Sequence, residues 1–464
     1  MLRLDGAQAE CLFDEILPSE VRELPEDLAR LDEILADPEL LRPVETHWQR
    51  EAEARGHSAK WHGRPTIPIA TYVRLMVVKQ RSGWGYEALV KELSDSLHLR
   101  RFCLIPLHGR VPDESTVRKL TRRLGHETVA ELTRAVIAKA VRERRFRPRA
   151  ARIDSTVVEA DVRYPSDANL CLAGARALAR QGRRLAKRIG ASPTAVTDRS
   201  RAIGRRLRQI SRTLARRTGK AREEVIALNA EAGRLLRRSA RQAERLATEA
   251  RAKARGRGAQ AKLKATEALE ELARRSERVA EQTAKRLRGE KISERIVSLA
   301  DPDARPIRKG KAGKPNEFGY VAQICELTAN TKRGARGFVL PPASAPGNPG
   351  ENTLLPDTVA ELTELGLAPK EVALDGGFGH HRSAEQLAPI EPERVFVSGR
   401  QEPGSKRTKR RLRRYRTGTE GRISHLKRGY GLRRSRLKGE QGQRIWTGWA
   451  AFAYDLDTLA VLTG

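Results

Sequence analysis

The chain reads as an α/β protein: a mixed sheet core, an all-α region before it and a long basic helical insertion inside it. Three observations predict this. Short β-branched segments that carry an acid, RIDSTVVEADV at 152–162 and EVALDGG at 371–377, have the length and composition of buried strands. Before them, LPEDLARLDEILADPELL at 24–41 places Leu and Ile at three- and four-residue spacing, the period of an amphipathic helix. Between them, residues 168–288 are rich in Ala, Leu, Arg and Glu, all strong helix formers.

The elements follow in order. Residues 1 to about 60 are acidic and helical in period, and IPIATYVRLMVVKQRSGWGYEALVKELSDSLHLRRF at 67–102 alternates apolar faces around a break at Gly83–Gly85. VPDESTVRKLTRRLG follows, where Pro112, Asp113 and Ser115 offer N-terminal capping for a helix bearing Arg118, Lys119, Arg122 and Arg123. Two readings stand: a helix-turn-helix reader of the major groove, or a helical bundle whose basic face is solvated. The texture changes at residue 150, where the first strand holds Asp154. The Arg-rich segment reads as three or four long helices, with Ile203, Leu207, Ile210 and Leu214 forming one stripe and Pro193, Gly219 and ARGRG at 254–258 punctuating it.

After the insertion, ERIVSLADPDA, FGYVAQICELTAN and RGFVLPPASAP read as sequential antiparallel strands joined by Gly/Lys-rich and Lys/Arg-rich turns. A helix at LPDTVAELTELG, ended by Gly366, a strand with Asp375, a helix near RSAEQLAPI and the strand RVFVSG complete the alternation. RIWTGWAAFAYDLDTLAVL repeats Ile445, Trp449, Phe452, Leu456 and Leu459 at three and four, which is the pattern of a core helix. The expected domains are 1–145, helical and DNA-binding; 146–168 with 291–464, the sheet domain; and 169–290, the basic insertion.

The 464 residues carry 91 Lys and Arg against 58 Asp and Glu, a net charge of +33. Such a surplus points to polyanionic partners, nucleic acid before membranes. It is local. Residues 171–290 hold roughly 33 basic and 12 acidic side chains, and 400–438 roughly 16 and 2, while the rest is close to neutral. Cys11, Cys103, Cys171 and Cys325 are scattered without a CxxC pair, which supports neither a zinc site nor a disulfide framework. No run approaches 18 apolar residues and no secretory h-region opens the chain. The expectation is a cytoplasmic, nucleoid-accessible protein with no membrane anchor.

An acid inside an apolar strand costs burial energy unless it is paired, hydrogen bonded or bound to a cation. Asp154 and Asp375 fall on strands able to lie side by side, and a third carboxylate, Glu420, stands in the basic stretch RYRTGTEGRISHLKRGYGLRRSRLKG. On a helix Arg416, Glu420, Ile423 and Lys427 are offset by four, seven and eleven, so they share one face. An Asp/Asp/Glu cluster can hold two Mg²⁺ ions, with Arg416 and Lys427 neutralising neighbouring phosphates. Glu159 and Asp161 read as solvated loop acids or as partners of the site. His380 and His381 read as loop histidines or DNA contacts.

Together IDST at 153–156, ALDGGFG at 373–379 and RTGTEGRISHLKRGYGLRRSRLKG at 416–439 resemble the catalytic blocks of bacterial insertion-sequence transposases of the Asp-Asp-Glu type. Arg416, Glu420 and Lys427 match the Arg-x3-Glu-x6-Lys signature of one large branch; Arg413 stands where that signature has Tyr, and Tyr415 lies two residues on. VEADVRYPSDANLCLAGARAL at 158–178 and GRPTIPIATYVRLMVVKQRSGWGYEALVKEL at 63–93 are also similar to that family. The resemblance implies an RNase H-like core and a recombinase that cuts its element's ends and joins the 3′ ends to target DNA. It further implies Asp154, Asp375 and Glu420 as catalytic ligands of two Mg²⁺ (or Mn²⁺) ions. Arg416, Lys427, Arg422, Arg428, Arg118 and Arg122 are expected on double-stranded DNA, with a homodimer or larger synaptic assembly as the working form.

Overall fold

The structure is a computed structural model and describes residues 2–3, 16–54, 67–256, 258–308 and 316–463. Cys11, the GRPT at 63–66, Arg257 and the Gly/Lys-rich turn at 310–314 lie outside the described residues. The chain forms two compact units, residues 1–161 with 319–464, and residues 162–318.

The first unit begins with β1 (Leu2–Arg3), α1 (Ser19–Arg22), α2 (Glu26–Leu35) and α3 (Pro38–Glu53). Then come β2 (Ile67–Pro68), parallel to β1, and α4 (Ile69–Ser82), α5 (Tyr86–Asp95), α6 (Leu97–Phe102) and α7 (Glu114–Arg142). Gly83 ends α4 with φ +68°, a conformation costly for any residue with a Cβ. Asp113 caps α7 by accepting from the Ser115 N–H at 2.8 Å. The connection from α6 to α7 spans residues 103–113, longer than the turn of about three to four residues in a helix-turn-helix. The inner face of α7 buries Val117, Leu120 and Leu124, and Arg118, Lys119 and Arg122 remain exposed.

β3 (Ala150–Ala160) is the strand around which this unit is built. The chain then leaves it for the second unit, where α8 (Asp167–Ile189), α9 (Ser200–Leu214), α10 (Gly219–Ala252) and α11 (Ala259–Leu287) bury Leu178, Leu185, Leu236, Leu246 and Val279 together. Four long helices fall within the three or four expected from the composition. Buried Asp167 accepts from Arg286 (2.9 Å) and Arg295 (2.8 Å). Some of the surface charge is paired within this unit, as in Arg237 with Glu277 and Glu281, and Arg251 with Glu270.

One expected strand is not there. ERIVSLADPDA at 294–304 is irregular, and Ile296 and Leu299 instead enter the core of the helices. The Gln282 side chain takes the place of a ladder partner, accepting from the Ile296 N–H (2.5 Å) and donating to its carbonyl (3.3 Å). The strand in this region is β4 (Arg305–Arg308).

β5 (Asn316–Thr328) returns beside β3, antiparallel to it, and β6 (Phe338–Val339) and β7 (Ala343–Pro346) add to its other edge. Pro341 and Pro342 separate those two short strands because proline cannot donate to the ladder. After α12 (Glu351–Glu364), β8 (Glu371–Leu374) pairs parallel with β3. α13 (His380–Leu387) and a 3-10 turn at Ala388–Ile390 lead to β9 (Arg394–Val397), parallel to β8. α14 (Lys406–Gly429) is longer than the predicted 414–429, and Ser405 caps it. β10 (Arg434–Ser435) pairs with the end of β3, and α15 (Gly439–Thr463) closes the chain.

α15 carries the core through the unit. Ile445, Trp449, Phe452, Leu456 and Leu459 are all buried, in one cluster with Tyr72, Phe102 and Val136 of the N-terminal helices and Ile153 and Leu374 of the sheet. Each such large side chain contributes about 1.5–3 kcal/mol on burial. Cys103, Cys171 and Cys325 are buried and unpaired. Among the described residues no helix is long and apolar enough to cross a membrane.

Candidate active site

The parallel register of β3 and β8 pairs Ile153 with Leu374. Asp154 and Asp375 are therefore the next residues along two neighbouring strands about 4.8 Å apart. Asp375 does not lie inside its strand as expected. It is the first residue after β8, where the chain turns through Gly376 and Gly377 and is anchored by buried Phe378. The turn is braced twice: Asn352 Oδ1 accepts from the Gly379 N–H (2.8 Å), and Arg400 donates to the Gly376 carbonyl (2.9 Å).

Asp154 accepts from the Ser155 N–H at 2.7 Å. Burial, then the charge of Asp375, push its carboxyl up to about 6; Glu351 adds to the effect, and Arg416 and the Ser155 hydrogen bond oppose it. A carboxylate whose ionisation is resisted by burial and by a neighbouring acid is a setting that a divalent cation stabilises.

α14 supplies the third acid. Arg416, 12% exposed, donates to Asp375 Oδ1 (2.9 Å) and faces Glu420 at 3.4 Å, so one guanidinium links the second carboxylate to the third. Glu420 is 66% exposed. Among the described residues no group of three or more His, Cys, Asp or Glu side chains is gathered closely enough to hold a metal ion. The structure thus brings Asp154 and Asp375 together and connects Glu420 to them through Arg416.

The helix is held against the sheet by a buried charge network. Glu326 of β5 is fully buried and accepts from Arg152 (2.6 and 2.8 Å), Arg422 (2.9 Å) and the Gly337 N–H (3.1 Å). Arg152 also donates to the carbonyls of Tyr415 (3.1 Å) and Ala335 (2.9 Å). Gly418 makes this approach possible. A Cβ there would lie 2.8 Å from Arg152 Cζ, with the Arg152 Nη1 closer still. Tyr415, displaced from the aromatic position of the signature, is buried with its hydroxyl on Thr328 (2.6 Å). It anchors the helix in the interior.

The remaining sequence-predicted residues divide by position. Arg422, expected on DNA, is turned inward onto Glu326 with 10% of its side chain exposed. Arg428 is exposed at the end of α14 and Lys427 is half-buried there. Arg118 and Arg122 are exposed on α7, Arg118 beside Glu114 at 3.4 Å. Glu159 is not a solvated loop acid: it lies inside β3 and pairs with Arg434 (2.9 Å), while Asp161, just past the strand, is 3.9 Å from the same arginine. The rings of His380 and His381 lie side by side at the start of α13, with centroids 3.6 Å apart and planes tilted by 42°.

Sequence reasoning missed Glu351, whose charge reaches Asp154, and the pair Arg152–Glu326. Glu351 follows a Gly/Pro/Asn-rich loop and reads there as an ordinary first-turn helix acid. Arg152 and Glu326 carry a signal that was available: charged side chains within apolar strands, the same one that marks Asp154.

Residues 26–123 match the family model described as a transposase domain (DUF772). No curated protein and no solved structure matches the chain. The matched segment runs from α2 into the first part of α7 and includes Arg118 and Arg122; it supports a transposase.

Proposed function

We propose that this protein is a DNA transposase of the Asp-Asp-Glu type, cleaving the ends of its element and joining the 3′ ends to target DNA. The observation that carries the reading is the β3–β8 register, which sets Asp154 beside Asp375, with Arg416 joining Asp375 to Glu420. The order β5-β3-β8-β9, with β5 antiparallel and the other three parallel, supports an RNase H-like core. The transposase-domain match in residues 26–123 supports a transposase independently of the sheet.

Asp154, Asp375 and Glu420 are the residues that would hold two Mg²⁺ or Mn²⁺ ions. Such ions activate a water or 3′-hydroxyl for in-line attack on phosphorus and stabilise the leaving oxygen. The raised carboxyl of Asp154 fits this demand, since a site that resists negative charge when empty gains most from a cation. Arg416 orients Asp375 and Glu420 and places a fixed positive charge where phosphate enters. Arg428, Arg118 and Arg122 are exposed for backbone contacts, and Lys427 shares the helix face of Glu420. The partners are double-stranded element ends and target DNA, with a dimer or larger synaptic assembly.

The test compares the wild type with Asp154→Asn, Asp375→Asn and Glu420→Gln on DNA carrying the element's ends. Each variant loses cleavage and keeps end binding; cleavage retained by any of the three refutes the assignment. A pre-cut 3′-OH end separates a transposase, which joins it to target DNA, from a nuclease, which does not.

A further inference from the structure

Away from the carboxylates, the N-terminal half of α14 and the turn between β5 and β6 enclose an open cleft of about 900 Å³. Lys332 and Arg333 form one wall, and Lys406, Arg407, Arg410 and Arg414 the other. Among the described residues no carboxylate lines it, and these six cations take no ion-pair partner. Their neighbours behave differently. Arg413 pairs with Glu402 (2.7 Å), and Arg411, at the cleft floor, is fixed by Glu371 (2.5 and 2.7 Å) and by Thr331.

Six like charges facing one concavity repel one another, and among the described residues none of the six is ion-paired. The cleft is also in line with the candidate active site. α14 runs from this cleft, past Arg411 on Glu371 at the start of β8, to Arg416 on Asp375 just beyond its end. From Arg410 to Glu420 is about 15 Å along the helix at 1.5 Å per residue. That length corresponds to about four base pairs at 3.4 Å each.

We propose that this cleft binds the phosphodiester backbone of duplex DNA about four base pairs from the phosphate at the carboxylates. The choice of DNA rests on the function proposed above; the polyanion class rests on the cleft alone. Arg411, tied to Glu371, fixes the helix so that its unpaired neighbours face the groove. Arg407, Arg410 and Arg414 contact one strand's phosphates while Lys332 and Arg333 close over it from the opposite wall.

The test measures binding of the full-length protein to a short fluorescent duplex of mixed sequence, without metal, across a salt series. Arg407→Gln/Arg410→Gln/Arg414→Gln is expected to weaken binding and lower the slope of log K against log salt by about 3, one for each phosphate no longer neutralised. Lys332→Gln/Arg333→Gln, off the helix, lowers it by about 2 and serves as the independent check should the triple variant fold poorly by circular dichroism. Unchanged slopes in both variants overturn the cleft. So does binding to duplex RNA that is tighter than to DNA and equally sensitive to the substitutions. Because no metal is present, reduced slopes together with a wild type that never cleaves DNA would uphold the cleft and sink the catalytic reading.

Discussion

Gly418→Ala is a substitution whose sign the structure reverses. Inside a helix, replacing Gly by Ala ordinarily stabilises by up to about 1 kcal/mol. At 418 the new methyl overlaps the Arg152 guanidinium, whose Cζ would be 2.8 Å away. An arginine tip is usually free to move, but this one is fixed by Glu326, Tyr415 and Ala335. Moving it breaks at least one charge-assisted hydrogen bond, costing about 1.5–3 kcal/mol. Wedging α14 from the sheet adds about 1–3 kcal/mol of overpacking. Set against the helical gain of up to about 1 kcal/mol, the net expected loss is about 1.5–5 kcal/mol. Gly421→Ala is the control on the same helix, because a Cβ there meets nothing within 4 Å. It should stabilise by up to about 1 kcal/mol. Urea unfolding followed by tryptophan fluorescence reads both, since all five tryptophans lie in residues 1–161 and 319–464. If Gly418→Ala matches or exceeds Gly421→Ala in stability, the bracing of α14 by Arg152 is refuted.

Other outcomes follow from the same contacts. Glu326→Gln leaves Arg152 and Arg422 buried without a countercharge and should cost about 3–5 kcal/mol in the same unfolding assay; a neutral result would remove the network from the account. Burial, then Arg436, push the Lys79 amine down to about 7, so the fold disfavours its charged form. Wild-type stability should therefore rise as pH increases from about 7 to 10. Trp446 (4.1 Å) and Tyr86 (4.9 Å) present ring faces that partly favour the cation. Lys79→Met should accordingly gain about 2 kcal/mol at pH 7 and flatten the profile; an unchanged pH dependence contradicts this. Asp154→Asn removes a carboxylate that burial and Asp375 oppose, and should stabilise the metal-free protein by about 1–3 kcal/mol at neutral pH while abolishing cleavage. Glu420→Gln, at an exposed position, should leave unfolding within about 0.5 kcal/mol of wild type, so that its loss of activity is not a loss of fold.

What could be read from the sequence was whatever depends on local period. α15 announces itself because its apolar residues recur at three and four, and β3 because Ile, Val and Thr cluster around Asp154 and Glu159. As candidates, Asp154 stood out by the cost of placing an acid in a strand, Asp375 by the same expectation although it follows its strand, and Glu420 by the charge contrast around it. The rest depends on tertiary packing. The run at 294–304 has strand composition, yet Ile296 packs among helices and finds its hydrogen bonds on Gln282. Arg422 shares the basic composition of its neighbours, and only the proximity of Glu326 turns it inward. Glu351 reaches Asp154 only because α12 begins beside the turn that follows β8, where its side chain lies against Gly377.

The most direct test of the central claim is a cleavage assay with Mg²⁺ on a plasmid carrying this coding sequence and its native flanking DNA, comparing the intact protein with Glu420→Gln. Discrete breaks at flanking inverted repeats, present with the wild type and lost in the variant, are the predicted result. DNA binding by both proteins with no break that depends on Glu420 would contradict it.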